Sequence, residues 1–217
     1  RVPFLMPGLV DAHVHLFLEG HVTDNALRSA HLKKPVEELT QTARASARRS
    51  LACGITLVRD AGDRHGINHR IRAEARGSRE LARVRSAGVG VKRPKRYGAF
   101  IARDVEDDAS IRGTVAALAA DCDEIKLVLT GIIDFDSGAV TDQPQFDLAA
   151  AQLVVATARE HGRGTLAHCS GAAGLAIAAA AGVGSIEHGF FMNPETLGLM
   201  RDHQIAWTPT FCPVHFQ

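Results

Sequence analysis

Short apolar, β-branched runs alternate along the chain with longer segments whose apolar positions recur every three or four residues, the pattern of strands followed by helices. Leu9–His15, entered through Pro7-Gly8, alternates in character and reads as a first strand. Ile55–Asp60 reads as a second, Ala82–Val91 as a third that Gly88 and Gly90 weaken, and Glu124–Thr130 as a fourth. Gly164–His168, Gly184–His188 and Ile205–Thr210 bring the count to seven. Between them, Pro35 opens a helix over 36–53 with Leu39, Ala43, Ala47 and Leu51 on one face and Gly54 as its stop. Further helices are predicted from about Asn68 to Ala75 and from Asp104 to Ala120, the latter acidic at its start as the macrodipole favours. Asp147 can N-cap a helix over 148–161 that Gly162 ends, and Gly182 closes an alanine-rich helix over 172–181. Asn193-Pro194 opens the last, to about Asp202. Residues 16–34 read as polar loop. A long loop, Gly131 to Phe146, carries Asp134, Asp136 and Asp142 and is expected to form part of a pocket wall.

Seven strands alternating with six helices point to parallel βα units in an α/β protein. No G-x-G-x-x-G follows the first strand, so a dinucleotide crevice lacks support, and the short, evenly spaced later strands favour a (β/α)8 TIM-like barrel over an open doubly wound sheet. A complete barrel has eight units and typically about 250 residues. The chain therefore reads as one incomplete barrel domain over 1–217, strands one to seven, truncated before strand eight.

With 217 residues there is ample chain for a core. Charge is balanced, 25 Lys+Arg against 24 Asp+Glu, which offers no case for nucleic acid or a membrane surface as partner. The basic cluster Lys92–Arg96 then reads as a solvated loop rather than a nucleic-acid patch. No run approaches the roughly 20 apolar residues of a membrane span, and the first residues do not resemble a secretory signal. Cys53, Cys122, Cys169 and Cys212 are far apart with no C-x-x-C, which suits reduced thiols in a cytoplasmic protein.

Functional side chains of a parallel barrel gather at the carboxyl ends of its strands. Those ends carry His13 and His15 on strand one, Lys126 on strand four, His168 on strand five and His188 on strand six. Strand alternation sends Asp11, His13 and His15 one way, and two neutral imidazoles a pleat apart can hold one ion. Lys126 is the odd member, since an ammonium has no lone pair and repels a cation. Either a lowered pKa lets it react with carbon dioxide, giving an anionic carbamate that bridges two metal ions, or it pairs with a neighbouring acid or reaches solvent. Two ions sharing a water would lower its pKa from about 15.7 towards about 7, supplying a metal-bound hydroxide, while fixed charges stabilise the oxyanion.

Pro7-Gly8-Leu9-Val10-Asp11-Ala12-His13-Val14-His15, Lys126 in Ile-Lys-Leu, His168 in Leu-Ala-His and Ile186-Glu187-His188-Gly189 together resemble the amidohydrolase superfamily. Thr56–Gly62, the Lys-Leu-Val-Leu-Thr-Gly run and Thr208-Pro209-Thr210 are most similar to its branch of Xaa-Pro dipeptidases and imidazolonepropionase-like hydrolases. That resemblance implies a distorted TIM barrel with one or two divalent ions, usually Zn2+. It implies that His13 and His15 hold a buried ion, carboxylated Lys126 bridges, and His168 and His188 hold an exposed one. Lys126 and His188 are then the catalytic residues this chain contributes. Imidazolonepropionases proper lack the lysine, so Lys126 favours the two-metal, peptidase-like side. The superfamily's general base is an aspartate on strand eight, and a small flanking β-sandwich accompanies the barrel; this sequence contains neither.

The expected activity is hydrolysis of a C–N bond in a small-molecule amide, most plainly a dipeptide or N-acyl amino acid. The alternatives are a deaminase or cyclic-amide hydrolase, and a catalytically silent metal-binding fragment that needs a partner, a missing segment or a homo-oligomeric swap to complete it. Tyr97, after strand three, is the candidate substrate contact, with a plain loop tyrosine as the alternative. His65 and His69 read as surface histidines, and His21, His31, His161, His203 and His215 join no constellation. Cys169 faces away from His168 and reads as packing, and Asp60 as a loop anchor.

Overall fold

In the computed structural model, which describes residues 4–22, 24–134 and 136–211, the chain divides into two units. Cys212 and His215 lie outside the described residues. The first unit comprises Arg1–Ala61 and His65–Ser86. Its elements are β1 (Leu9–Val14), α1 (Asn25–His31), α2 (Val36–Ala52), β2 (Ile55–Asp60), α3 (Ile67–Arg76) and β3 (Arg83–Ser86). The strands pair in parallel in the order β1-β2-β3. The helical spacing of Leu39, Ala43 and Ala47 becomes the buried face of α2, and Ile67, Ile71 and Ala75 that of α3.

The second unit, Gly62–Arg64 with Ala87–Gln217, holds β4 (Gly90–Lys92), β5 (Ala102–Asp104), α4 (Asp108–Ala119), β6 (Glu124–Val128), β7 (Ile133–Asp134) and β8 (Ala139–Val140). It continues with α5 (Leu148–Glu160), β9 (Gly164–Cys169), α6 (Ala172–Ala181), β10 (Ser185–His188), α7 (Pro194–Asp202) and β11 (Ala206–Thr208). Six strands form a sheet in the order β11-β10-β9-β6-β4-β5, every pair parallel, while β7 and β8 make a small antiparallel hairpin. One sheet face is the unit's core: Ile125, Leu127, Leu129, Ala167, Cys169 and Ile186 pack with Val154, Ala158, Leu175 and Ala178. Alternation then commits Lys126, Val128, Leu166, His168, Ser185 and Glu187 to the opposite face, whereas Thr130, past the end of β6, turns its side chain to Gly174 of α6.

Helix ends follow the chemistry read from the sequence. Asp147 accepts from the Ala150 N–H and Asn193 from the Thr196 N–H, both at 2.8 Å, and Gly54, Gly162 and Gly182 take left-handed backbone after their helices. Four expectations are corrected. The single strand over Ala82–Val91 is two, because Gly88 at φ 66° interrupts the extended backbone between β3 and β4. The loop after His15 contains α1, N-capped by Asp24 onto Leu27. The helix expected from Asp104 starts at Asp108, since Asp107 and Ser110 form a capping box and Asp104 ends β5. Finally, Lys92 is not in a solvated loop: it is 3% exposed in β4 and ion-pairs with Asp104 at 2.6 Å. Arg93 in turn lies 4.7 Å over the Phe146 ring, and Arg96 ion-pairs with Asp142.

Candidate functional site

In the first unit, the carboxyl end of β1 carries His13 and His15. The pairing register shifts between Asp11 and Val14, and the His13 N–H donates to Asp11 Oδ1 at 3.2 Å. The two rings lie edge to face with centroids 5.3 Å apart, both half-buried. The chain leaving His15 is held by Asp60, the last residue of β2. Its carboxylate, 1% exposed, accepts the Leu16 N–H at 2.9 Å and the Asn68 Nδ2–H at 3.2 Å. Asp60 is thus the anchor the sequence suggested, with Asn68 as a partner that no local pattern announced. Arg59 donates from Nε to the Ala12 carbonyl at 2.8 Å. His31 is also drawn in: 5% exposed, it places Nε2 2.7 Å from the Phe17 carbonyl, which can only accept, so Nε2 carries the proton. His69 is half-buried, with Nδ1 2.8 Å from Ser86 Oγ, whereas His65 is exposed as expected.

In the second unit, β9 and β10 lie side by side and carry His168 and His188 near their carboxyl ends, with the rings 4.6 Å apart edge to face. His168 places Nε2 3.1 Å from the Gly131 carbonyl, which fixes Nε2 as the donor and puts the neutral ring's lone pair on Nδ1. His188 has φ 72°, a left-handed conformation that costs a non-glycine residue about 1–2 kcal/mol. Two contacts hold it there: its carbonyl accepts from the Trp207 indole at 2.9 Å, and Nδ1 lies 2.7 Å from Thr210 Oγ1.

Lys126 is fully buried on β6, on the same sheet face as His168. A Cβ built on Gly90 would fall 2.9 Å from Lys126 Cγ and 3.1 Å from the Lys126 carbonyl oxygen, so β4 passes the lysine only because it has no side chain there. Glu187, unexpected from the sequence, shares that face and is also fully buried, accepting from Ser185 Oγ at 2.6 Å. The period-2 pattern of Ser-Ile-Glu could have signalled it. Tyr97 is half-buried with its ring 5.2 Å from that of His168. Gln145 ties the tyrosine's loop to the 131–146 segment, donating to the Tyr97 carbonyl and accepting from the Arg93 N–H, each at 3.0 Å. In that segment Asp142 is engaged by Arg96, and Asp134 caps its own turn, where the Ser137 hydroxyl and N–H hold its carboxyl below the ordinary carboxylate value. Cys169 is in the core, and burial pushes its thiol well up, which fits packing rather than nucleophilic chemistry.

The structure therefore brings His13 to His15, and His168 to His188 and Tyr97. Among the described residues, no group of three or more His, Cys, Asp or Glu gathers to hold an ion. Paired imidazoles at strand ends, with His168 and His188 each hydrogen-bonded through a second nitrogen, are the donor chemistry a divalent zinc-type ion takes, and in that sense the residues fit one.

Parallel βα units with histidines at the carboxyl ends of their strands are the TIM-like α/β class read from the sequence. The chain belongs to the amidohydrolase family, whose sequence profile matches residues 4–210. An uncharacterized protein of Mycobacterium tuberculosis H37Rv is 30% identical over 213 residues, 95% of this chain and 50% of that protein. The ochratoxinase of Aspergillus niger is 26% identical over 238 residues, 97% of this chain and 48% of that enzyme. Among solved structures, a Xaa-Pro dipeptidase with methionine bound in its active site superposes with a TM-score of 0.79 at 27% identity, over 97% of this chain and 54% of that one. The A. niger ochratoxinase structure gives 0.80 at 22% identity, over 100% of this chain and 55% of that one, a likeness of fold. The chain spans about half the length of these relatives. They bear out the α/β, TIM-like class expected from the sequence. No helix among the described residues is long and apolar enough to cross a membrane.

Proposed function

We propose that the protein is a metal-dependent hydrolase of a C–N bond, acting on a dipeptide or an N-acyl amino acid. The observation that carries this reading is the His168–His188 pair at the ends of two adjacent parallel strands, with a fully buried lysine on the next strand sharing His168's sheet face. Membership of the amidohydrolase family and likeness to a Xaa-Pro dipeptidase support it.

In this reading His13, His15, His168 and His188 are the imidazole ligands. Lys126 reacts with carbon dioxide, its amine nitrogen bonding to the carbon while a proton leaves to solvent, and the resulting carbamate supplies anionic oxygens. One or two divalent ions, zinc in the family's pattern, would polarise the amide carbonyl and acidify a water. The chain's own residues do the positioning. The Gly131 carbonyl fixes the His168 tautomer, Thr210 and Trp207 set the His188 ring, and Tyr97 offers an aromatic face to substrate beside His168.

The test is metal analysis and turnover of the full chain and its His168→Ala and Lys126→Ala variants. Bound divalent metal that falls in both variants, with hydrolysis of a dipeptide or N-acyl amino acid by the wild type, is the expected result. Metal content indifferent to both substitutions would end the proposal. Metal that responds as expected but with no turnover of any amide would instead leave a silent metal-binding protein.

A further inference from the structure

At the opposite end of the first unit's sheet from His15, the amino-terminal ends of β2 and β3 and the last turn of α3 border a recess of about 450 Å³. Arg76, Arg79 and Arg83 line it, together with the hydroxyl-bearing Ser78 and Thr56, and no Asp or Glu does. The carboxylates nearest in sequence are committed elsewhere. Glu74 takes Arg44 through two hydrogen bonds of 2.7 and 2.8 Å and also reaches Arg70 at 3.4 Å, while Glu80 reaches Arg48 at 3.4 Å. Among the described residues, none of the three recess arginines makes an ion pair. Ser78 Oγ accepts from the Glu80 N–H at 3.0 Å, so its hydroxyl proton remains to be donated.

A basic residue at a helix C-terminus is ordinary, because the dipole there carries roughly half a negative charge. One arginine answers that half charge; three exposed arginines around one recess exceed it and leave positive charge over for an anion. Guanidinium forks match the oxygens of phosphate or carboxylate in bidentate geometry. We propose that this recess is a binding site for a multivalent oxyanion, one bearing a diphosphate or several carboxylates. It lies at the opposite end of the first unit's strands from His13 and His15, so its ligand is an effector or tether rather than a substrate held by those two residues.

The experiment is calorimetric titration of the full chain, stripped of metal so that chelation contributes no heat, with inorganic pyrophosphate and separately with citrate. One-to-one binding that weakens with added KCl is expected. Tighter binding of pyrophosphate identifies a phosphate-bearing ligand, and tighter binding of citrate a polycarboxylate. Arg79→Gln should weaken binding about tenfold, Arg76→Gln/Arg79→Gln/Arg83→Gln together at least about a hundredfold, and Arg83→Lys, which keeps the charge but loses the fork, by an intermediate factor. The unfolding midpoint of each variant shows that it remains folded, and His15→Ala should leave the affinity unchanged. No binding by the wild type, or affinity unmoved by the triple substitution, overturns the proposal. Because neither readout involves turnover or metal, it stands or falls separately from the hydrolase reading.

Discussion

Removing the Asp60 carboxylate should loosen the chain that carries His13 and His15. Asp60 is 1% exposed and accepts from the Leu16 backbone N–H at 2.9 Å and from Asn68 Nδ2 at 3.2 Å. Leu16 is 3% exposed and Asn68 1%, so water does not readily replace the lost acceptor. Each buried donor left without a partner costs about 1–3 kcal/mol. Two such donors put Asp60→Ala at about 2–4 kcal/mol after partial relaxation, a shift of roughly a hundredfold in the folded-to-unfolded ratio. Asp60→Asn keeps one acceptor oxygen but turns an NH2 toward a donor, so it should cost about half as much. Asn68→Ala, which leaves the Leu16 bond intact, should cost less than Asp60→Ala. Urea unfolding of the full chain measures these as shifts of midpoint at constant slope. A loss under about 0.5 kcal/mol for Asp60→Ala, or a larger one for Asn68→Ala, would show that this carboxylate does not hold the strand end.

Four further outcomes follow from the geometry. Gly90→Ala forces a Cβ to within 2.9 Å of Lys126 Cγ and should cost about 1–3 kcal/mol and displace the lysine; a midpoint equal to wild type would contradict the close approach. Thr210→Val removes the partner of His188 Nδ1 and, with His188 a metal ligand as proposed, should weaken metal retention about tenfold or more, measured by competition with a chelator, with unchanged retention arguing against the proposed site. Cys53 is exposed while Cys122 and Cys169 are buried, and the raised Cys169 thiol stays protonated at neutral pH, so iodoacetamide should label Cys53 well before Cys169; equal rates would refute the burial. The Glu74 carboxyl is held below its ordinary value, first by the Arg44 hydrogen bond and then by the charges of Arg44 and Arg70. A depressed carboxyl stabilises above its unfolded pKa and loses that contribution as pH falls through the folded one. Glu74→Gln should therefore cost about 1 kcal/mol or less near pH 7 and less still in acid, and a pH-independent difference would rule this out.

What the sequence made legible was local. Asp147 and Asn193 announce helix starts because each satisfies a backbone N–H three residues on, and alternation along the strands separates Lys126 from Ile125 and Leu127. What stayed hidden depended on distant partners. Lys92 looks like one more solvated cation until β5 brings Asp104 against it, and Arg93 until Phe146 arrives from more than fifty residues away. The break between β3 and β4 turns on one backbone angle at Gly88, which composition only hints at. The Asn68, Gln145 and Thr210 contacts are likewise long-range, so no spacing rule reveals them.

The left-handed backbone at position 188 also narrows what evolution or a designer can place there. Valine, isoleucine and threonine are disfavoured by their branched β-carbons, whereas asparagine, aspartate, histidine and glycine tolerate the conformation. Of that short palette only the imidazole and the carboxylate are strong donors to a hard or borderline cation. In the proposed metal-dependent hydrolase, exchanging His188 for aspartate is thus the replacement that the local geometry leaves open for retuning metal preference.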